Sequence, residues 1–335
     1  MLLRFFKYNT TAGYLLIPLL TIIAWWPSLA SDSYRQMAFD YIPMPLYEML
    51  TGYLPHHSLT SKIMAMALVM ITGFYLTRIN NKYLFLQERT LLPAFFFILL
   101  ASSLPPLHRL HPALIAMVFL IPAIEKLLAS YKTEGLSYNF FEASFLLGLG
   151  SLFYFNLVYF IFLVWVALFI LRPVIWREWV FSLMGLATPW FFFLAVSYFI
   201  HDSADCSLEV IAANFTTRDV FSFMLLPEKI FFGFMLLMII FASRKIAGSM
   251  HKMKVLSRKI FILFFWIYAI SVIIYFVVET ANIEMAIPAT LPVAFLLSHY
   301  ILAIRKRFWS NVILWCIVIG LHLLVWQPWK LLPTG

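Results

Sequence analysis

Charge is scarce in this sequence. Only 12% of the 335 residues are Asp, Glu, Lys or Arg, whereas 63% are hydrophobic. Soluble domains carry about 25% charged residues, so a fold surrounded by water could not hide this much apolar surface. The composition therefore excludes an ordinary soluble protein and indicates that lipid is the solvent for much of the chain.

Cysteine and the common catalytic motifs are also lacking. The two cysteines, Cys206 and Cys316, form no metal-binding or disulfide pattern. The sequence contains no GxxxxGK(S/T), HExxH or GxSxG motif, which mark P-loop nucleotide binding, zinc proteases and serine hydrolases. We therefore expect no bound metal and no cofactor.

Acidic residues are absent from the most basic stretch of the chain. The segment from Arg244 to Lys259 carries six Lys/Arg and lies between two apolar segments, Ile230 to Ser243 and Ile260 to Val278. Short basic loops between membrane spans stay in the cytoplasm. We interpret the net charge of +9 as this topological bias, and we expect no nucleic-acid partner.

Counting apolar segments outward from this loop predicts one transmembrane domain, residues 1–335, with about eleven spans. The first span is uncleaved and ends at Trp25-Trp26-Pro27, the N-terminus is cytoplasmic and the C-terminus periplasmic. The expected spans are about Gly13 to Trp26, Ile63 to Thr77, Leu91 to Leu104, Ala113 to Leu128, two within Phe140 to Leu171, Val180 to Ile200, Ile230 to Ser243, Ile260 to Val278, Ala286 to Ile304 and Val312 to Val325. This topology places eighteen Lys/Arg inside and four outside.

Several local features refine this topology. The sequence FDYIPMPLYEMLTGYL in the first outer stretch predicts an interfacial helix, and Val220 to Leu226 predicts a second. The second and third spans are short, and the turn between spans five and six is expected near Tyr154-Phe155-Asn156. Gly148 and Gly150 allow close helix packing. RPVIWREW, from Arg172 to Trp179, predicts an interfacial loop in which an exposed Arg177–Glu178 pair would be weak.

Ionisable residues are almost absent from mid-depth in spans two to six. A proton- or ion-coupled transporter usually needs one there, because intramembrane charge is costly. His299 and His322 are the exceptions, and a lone intramembrane His is more often a packed, hydrogen-bonded residue than a functional one. The sequence therefore gives little support to a transporter or flippase.

The predicted outer face collects polar residues. We expect catalytic carboxylates in its first loop and phosphate- or substrate-binding residues in its later turns, because a carboxylate can deprotonate an acceptor hydroxyl and a guanidinium pairs with phosphate. The catalytic candidates are Asp40, Asp32 and Glu48, and the binding candidates are Arg109, His108, His111, Glu279 and Glu284. Two alternatives remain open: outer loops simply avoid Lys/Arg, and the PPLHRLHP side chains cap helices.

Four motifs carry a family resemblance. MLLRFFKYN, PPLHRLHPALIA, RPVIWREW and ETANIEMAIP together resemble an uncharacterised family of multi-pass inner-membrane proteins from Bacteroidetes, which implies no activity. The layout more distantly resembles GT-C membrane glycosyltransferases, which implies Asp40 or Asp32 as base and Arg109 or His108 near the donor phosphate. The adjacent acidic pair often found in the GT-C first loop is absent, as is a large outer domain.

These observations predict an all-α polytopic protein of the bacterial inner membrane. We expect a role in cell-envelope biogenesis, as a GT-C-like glycosyltransferase or polymerase that uses polyprenyl-phosphate-linked sugars at the periplasmic face. The alternatives are a non-catalytic subunit or scaffold of an envelope complex and, with less support, a transporter or flippase. The expected partners are membrane lipids, the lipid-linked sugar and unidentified envelope proteins.

Overall fold

Helices and short turns make up the part of the chain that the structure describes, and no strand occurs there. The structure is a computed structural model that describes residues 2–30, 44–52, 58–132, 138–173, 175–201, 226–249, 251, 253–278, 281–304 and 307–326. The all-α prediction is confirmed for these residues. The helices are α1 Leu2–Lys7, α2 Thr11–Ala30, α3 Pro45–Gly52, α4 Leu59–Tyr83, α5 Leu92–Ala101, α6 Pro112–Ala129, α7 Asn139–Ser151, α8 Ile161–Leu171, α9 Trp176–His201, α10 Leu226–Ser249, α11 Val255–Val277, α12 Ala286–Ala303 and α13 Arg307–Trp326.

Among the described residues, six helical segments are long and apolar enough to cross a bilayer, so the chain is a multi-pass helical membrane protein. They are Thr11–Ala30, Leu59–Tyr83, Pro112–Ala129, Trp176–Phe199, Val255–Val277 and Ile283–Ala303. Three shorter apolar segments lie at Leu92–Ala101, Phe155–Leu171 and Ser310–Gly320. The expected count of eleven spans stays a prediction.

The centre of the bundle is built from α5 and α12. Within its most apolar stretch, the segment Ile283–Ala303 is 83% buried, compared with 17% for Trp176–Phe199 on the periphery. Helix α12 packs against α5, α10 and α11, and Phe264 stacks on Phe295 with ring centroids 4.6 Å apart. The ten residues of α5 are therefore surrounded mainly by protein, which explains how so short an apolar helix is accommodated.

Two expected boundaries are wrong. The second span was expected to be short, but α4 has 25 residues and ends only at Tyr83. Near the end of α4, Asn80 donates to the carbonyl of Glu88 at 3.0 Å, an interaction that holds the polar end of the helix against the following segment. The basic loop from Arg244 to Lys259 is also mostly helical, since α10 continues to Ser249 and α11 begins at Val255.

The link between α7 and α8 matches its prediction. Helix α7 ends at Ser151, Tyr154 is extended, and Phe155–Phe160 form a 3-10 turn before α8 begins. Close packing at Gly148 is also confirmed, since a Cβ added there would lie 2.7 Å from the carbonyl oxygen of Leu186 in α9. A backbone approach this close is possible only without a side chain.

The prediction for RPVIWREW is corrected. Helix α9 begins within this motif, at Trp176, and Glu178 is fully buried. Glu178 pairs with Arg172, not with an exposed Arg177, and the two charged groups are 3.0 Å apart. The carboxylate is buried because it meets a guanidinium from the end of α8, and this pairing could not be predicted from adjacency in the sequence.

Candidate functional site

The turn between α5 and α6 is the centre of the polar cluster that contains most of the described candidate residues. Leu104 is extended, Pro105–Leu107 form one 3-10 turn, and His111 is extended again before Pro112 begins α6. Proline fixes φ near −65°, so both ends of this short turn are preset. We call the cluster around it the turn cluster; its members are Trp25, Ser28, Tyr47, Ser61, Lys62, Ser102, His108, Arg109, Leu110, His111 and Glu284.

His108 is fully buried beneath the turn and is held on three sides. Its ring stacks on Trp25 with centroids 4.2 Å apart and planes 9° from parallel. Nε2 lies 2.9 Å from the carbonyl oxygen of Ser102, and Nδ1 lies 2.8 Å from the Ser28 hydroxyl. A carbonyl only accepts hydrogen bonds, so Nε2 carries the proton, while burial lowers the pKa of His108 to about 4. The neutral ring therefore accepts a hydrogen bond from Ser28 through Nδ1.

Lys62 brings a positive charge to the same cluster from the first turn of α4. Its Nζ donates to the carbonyl oxygen of Ser28 at 2.6 Å, close to the end of α2. The neighbouring Ser61 hydroxyl accepts the backbone N–H of Leu110 at 3.1 Å. Helices α2 and α4 are thus both tied to the turn, and Lys62 also contributes electrostatically to the lowered pKa of His108.

Arg109 is half-buried, and two nearby groups favour its charge. Burial lowers the pKa of the guanidinium, while Tyr47 and the carboxylate of Glu284 oppose that shift. Glu284 is itself buried, in the 3-10 turn Ile283–Met285 before α12. The Tyr47 hydroxyl donates to the carbonyl oxygen of Leu110 at 3.3 Å, which docks the short helix α3 on the turn.

His111 caps a helix, which was one of the two alternatives for the side chains of PPLHRLHP. Its Nδ1 accepts the backbone N–H of Leu114 at 3.3 Å and so caps the first turn of α6. The side chain is fully buried, and burial together with the charge of Arg109 lowers its pKa to about 3. The ring is therefore neutral at pH 7.

The structure brings together some of the candidates from the sequence. His108, Arg109, His111 and Glu284 share the turn cluster, and Glu48 is exposed on α3, next to Tyr47. Asp32, Asp40 and Glu279 lie outside the described residues. Among the residues that are described, no group of three His, Cys, Asp or Glu side chains could hold a metal ion.

Sequence reasoning missed Lys62, Trp25, Ser28 and Ser102. Ser28 and Ser102 are small polar residues near helix ends and give no sequence signal for a site, and Trp25 indicates only the interfacial end of the first span. Lys62 carries a weak one, because it is a lone cation at the start of a span that the charge bias assigns to the outer side.

An apolar groove adjoins the turn cluster between α2, α5 and α13. Its volume is about 310 Å³, and its walls include Ile17, Ala24, Phe95, Ser102 and Trp315. The Ser102 hydroxyl accepts the indole N–H of Trp25 at 2.8 Å. Ser102 therefore belongs both to the groove and to the cluster, and links the two.

A second polar cluster lies at the opposite ends of α4 and α6. Glu125 accepts hydrogen bonds from the Tyr75 hydroxyl and, at 2.6 Å, from the Lys82 ammonium group. Next to it, Lys126 pairs with Glu142 at 2.5 Å, joining α6 to α7. These acids are matched by basic partners, and the arrangement explains how charges at the helix ends tie the bundle together.

Residues 41–332 match a family described as "Family of unknown function (DUF6427)". The chain belongs to this family. The match covers α3, the turn between α5 and α6, and the α5 and α13 walls of the groove, whereas α2, with Trp25, Ser28 and its wall of the groove, precedes the matched residues. No curated protein and no solved structure matches this DUF6427 chain.

Proposed function

We propose that this DUF6427 chain acts in cell-envelope biogenesis as a membrane transferase or polymerase for sugars carried on polyprenyl phosphate. The observation that carries the proposal is that two cations, Lys62 and Arg109, belong to the turn cluster, which adjoins an apolar groove. Such a site offers cations for a phosphate group and hydrocarbon for its lipid. Soluble nucleotide-sugar chemistry would need neither the groove nor its position within membrane helices.

The proposed topology has eleven crossings, with the N-terminus in the cytoplasm, the C-terminus in the periplasm and the turn cluster at the periplasmic face of the inner membrane. The supporting observation is the distribution of charge. The end of the bundle that carries Lys82 and Lys126 is rich in Lys/Arg, as cytoplasmic ends are. The turn lies at the other end of α4 and α6.

Arg109 and Lys62 are the proposed phosphate ligands. In a transfer step, a carboxylate takes the proton of the acceptor hydroxyl, the acceptor oxygen bonds to the sugar C1, and the C1–O bond to the lipid phosphate breaks. The phosphate leaves with the electron pair of that bond, and the two cations stabilise its growing negative charge. His108 is a positioning residue, because both of its ring nitrogens bond within the bundle.

The base belongs to the first outer loop, for which Asp40, Asp32 and Glu48 are the candidates. Glu48 has support from its surroundings: it is exposed to solvent on α3, and the adjacent Tyr47 is hydrogen-bonded to Leu110, next to Arg109. A carboxylate on α3 would therefore lie beside the phosphate site, where an acceptor from the aqueous side could reach it.

Complementation of a gene deletion tests this function. In a strain whose envelope glycans are lost on deletion, Arg109→Ala should fail to restore them while the protein accumulates normally in the membrane. Arg109→Lys should restore them only in part, because an ammonium group lacks the planar fork that holds phosphate. The control is Arg89→Ala, which removes an exposed Arg at the other end of the bundle. Full restoration by Arg109→Ala would overturn the proposal.

A scaffold role is the second candidate, and the hydrogen bonds of the turn cluster favour it. His108 bonds to Ser28 and Ser102, and His111 caps α6, so much of the cluster joins helices to one another. A scaffold predicts that Arg109→Ala and Glu48→Gln both complement the deletion. It also predicts that substitutions on lipid-facing helix surfaces release a partner protein from co-purification.

A further inference from the structure

The walls of the groove between α2, α5 and α13 offer a ligand almost nothing but hydrocarbon. Two wall residues are polar, and both hydroxyls are engaged within the protein: Thr21 donates to the carbonyl oxygen of Ile17 at 2.8 Å, and Ser102 accepts from Trp25. A polar ligand would lose its hydration there without gaining hydrogen bonds. The occupant that fits is therefore an apolar chain.

The groove opens towards the outside of the bundle. Three wall residues, Ile23, Trp315 and Ile319, are between 45% and 53% exposed. They lie on helices α2 and α13, and α2 is one of the six long enough to cross the membrane. The medium outside this opening is therefore bilayer hydrocarbon, from which a lipid chain can enter sideways.

One end of the groove leads to a positive charge. The walls reach Ala24 on α2 and Ser102 on α5. Ser28 follows Ala24 by one helical turn, about 6 Å along the axis, and its carbonyl holds the Lys62 ammonium group at 2.6 Å. The Lys62 ammonium group is therefore a positive charge close to this end of the groove.

The size of the groove suits one chain. A volume of about 310 Å³ is at the small end of the range of roughly 300–1,000 Å³ for ligand sites. From Ile17 to Ala24 the wall on α2 rises about 10 Å. A two-chain phospholipid would leave its second chain outside, whereas a single-chain lipid phosphate would have its chain covered and its head at a cation.

We propose that this groove holds the head-proximal part of the chain of a single-chain lipid phosphate, with its phosphate at Lys62. The inference rests on the proposed function and specifies the carrier: one hydrocarbon chain ending in a phosphate, presented to Arg109 from the side of α2. A lipid with two chains, or a polyprenol without phosphate, would satisfy only part of the site.

Photo-crosslinking to the purified full-length protein tests the proposal. The probe is a polyprenyl monophosphate with a diazirine in the isoprene unit next to the phosphate, and the comparison probes are the matching polyprenol and a two-chain phosphatidic acid. The monophosphate should label peptides of α2, α5 or α13. Equal labelling by phosphatidic acid, or labelling confined to other helices, would overturn the proposal.

Groove-filling variants provide the matched comparison. Ala24→Phe fills the groove and should lower photo-crosslinking of the monophosphate, which we call capture, about tenfold. A loss of this size is expected when a buried chain is displaced. Ala187→Phe makes the same change at an exposed position of α9 and should leave capture unchanged. If Ala24→Phe does not elute as a folded protein, Ile319→Trp at the mouth of the groove replaces it. Unchanged capture in the folded filling variant would exclude the groove as the site.

Variants of Lys62 test the binding of the phosphate head group independently of the binding of the hydrocarbon chain. Lys62→Gln should reduce capture of the monophosphate to the level of the polyprenol, and Lys62→Arg should restore it, because the head group needs a cation. Capture that is the same in Lys62→Gln as in wild type would overturn the assignment of the head. These readouts are independent of complementation by Arg109→Ala, so failure of the groove is distinguishable from failure of the proposed transferase.

Discussion

His108 and His111 show how a residue typical of catalysis can serve packing in the same site. Both rings are neutral because they are fully buried, and their hydrogen bonds tie α2 and α5 to the turn and cap α6. Arg109, between them in the sequence, stays half-buried beside Glu284. The histidines thus hold the turn in place, and the positive charge of the turn cluster belongs to Arg109 and Lys62.

Because these two histidines are buried and neutral, we expect the folded protein to lose stability at acidic pH. An unfolded His has a pKa near 6.5, above the values of about 4 for His108 and about 3 for His111. The unfolded chain therefore binds protons that the folded chain does not. The contribution of these two residues to the free energy of unfolding is fully present above pH 6.5 and is lost as the pH drops towards 4. At pH 4.5 each ring should lower the free energy of unfolding by up to about 2 to 3 kcal/mol relative to pH 7.5.

Thermal unfolding in detergent at the two pH values measures this loss. His111→Asn keeps a side chain that can cap α6 but removes the titrating ring. Between pH 7.5 and 4.5 its melting temperature should fall less than the melting temperature of the wild type. The difference between the two falls should be roughly 5 °C. His251→Asn, at an exposed position, should behave as wild type. Identical acid shifts in all three proteins would contradict the prediction.

At the scale of elements, helix contacts depend on small residues and buried pairs. Helices α7 and α9 approach closely where Gly148 faces the backbone of Leu186. Near the start of α9, Glu178 meets Arg172 from the end of α8, so three consecutive helices are fixed by two local contacts. Removing one member of such a buried pair typically costs about 3–5 kcal/mol, because the other charge is left without compensation.

Replacing Gly148 with alanine should separate α7 from α9. The new methyl group would lie 2.7 Å from the Leu186 carbonyl oxygen, so the helices must shift, at a cost of about 1–3 kcal/mol. Gly233→Ala on α10 is the matched control, because nothing lies within 4 Å of its added Cβ. There alanine should stabilise the helix by up to about 1 kcal/mol. Melting temperatures that move in the same direction for both variants would contradict this account.

At the scale of the whole molecule, the bundle has two polar ends of different character. One end joins helices through Lys–Glu pairs, such as Lys82–Glu125 and Lys126–Glu142. The other end is the turn cluster, to which the groove leads. This separation agrees with the proposed topology, in which the end with the Lys–Glu pairs is cytoplasmic and the turn cluster binds a lipid-borne ligand.

Cysteine labelling tests the proposed orientation. In a protein with Cys206 and Cys316 changed to serine, Glu48→Cys should react with a membrane-impermeant maleimide in intact spheroplasts. Arg89→Cys and Arg177→Cys should react only after lysis, because the charge bias assigns both to the cytoplasm. All three positions are exposed: Glu48 lies on the short helix α3, Arg89 lies between helices, and Arg177 lies in the first turn of α9. Labelling of Glu48→Cys and Arg89→Cys from the same side would overturn the topology and with it the periplasmic site.

The amino-acid composition and the order of apolar and charged segments are enough to predict a multi-pass membrane protein. Scarce charge leaves lipid as the only solvent that suits so many apolar residues, and this needs no knowledge of contacts. Local chemistry also fixed the Pro-rich turn and the break near Tyr154, since both depend on neighbouring residues.

Contacts between residues far apart in the chain can be seen only in the folded structure. His108 contacts Ser28 across 80 positions of sequence, and Trp25 contacts Ser102 across 77. It also reassigned Glu178 to Arg172 and formed the groove from three helices that are far apart in the chain. The physical reason is that apolar helices resemble one another along the sequence, so their neighbours are selected by packing and by a few buried polar contacts.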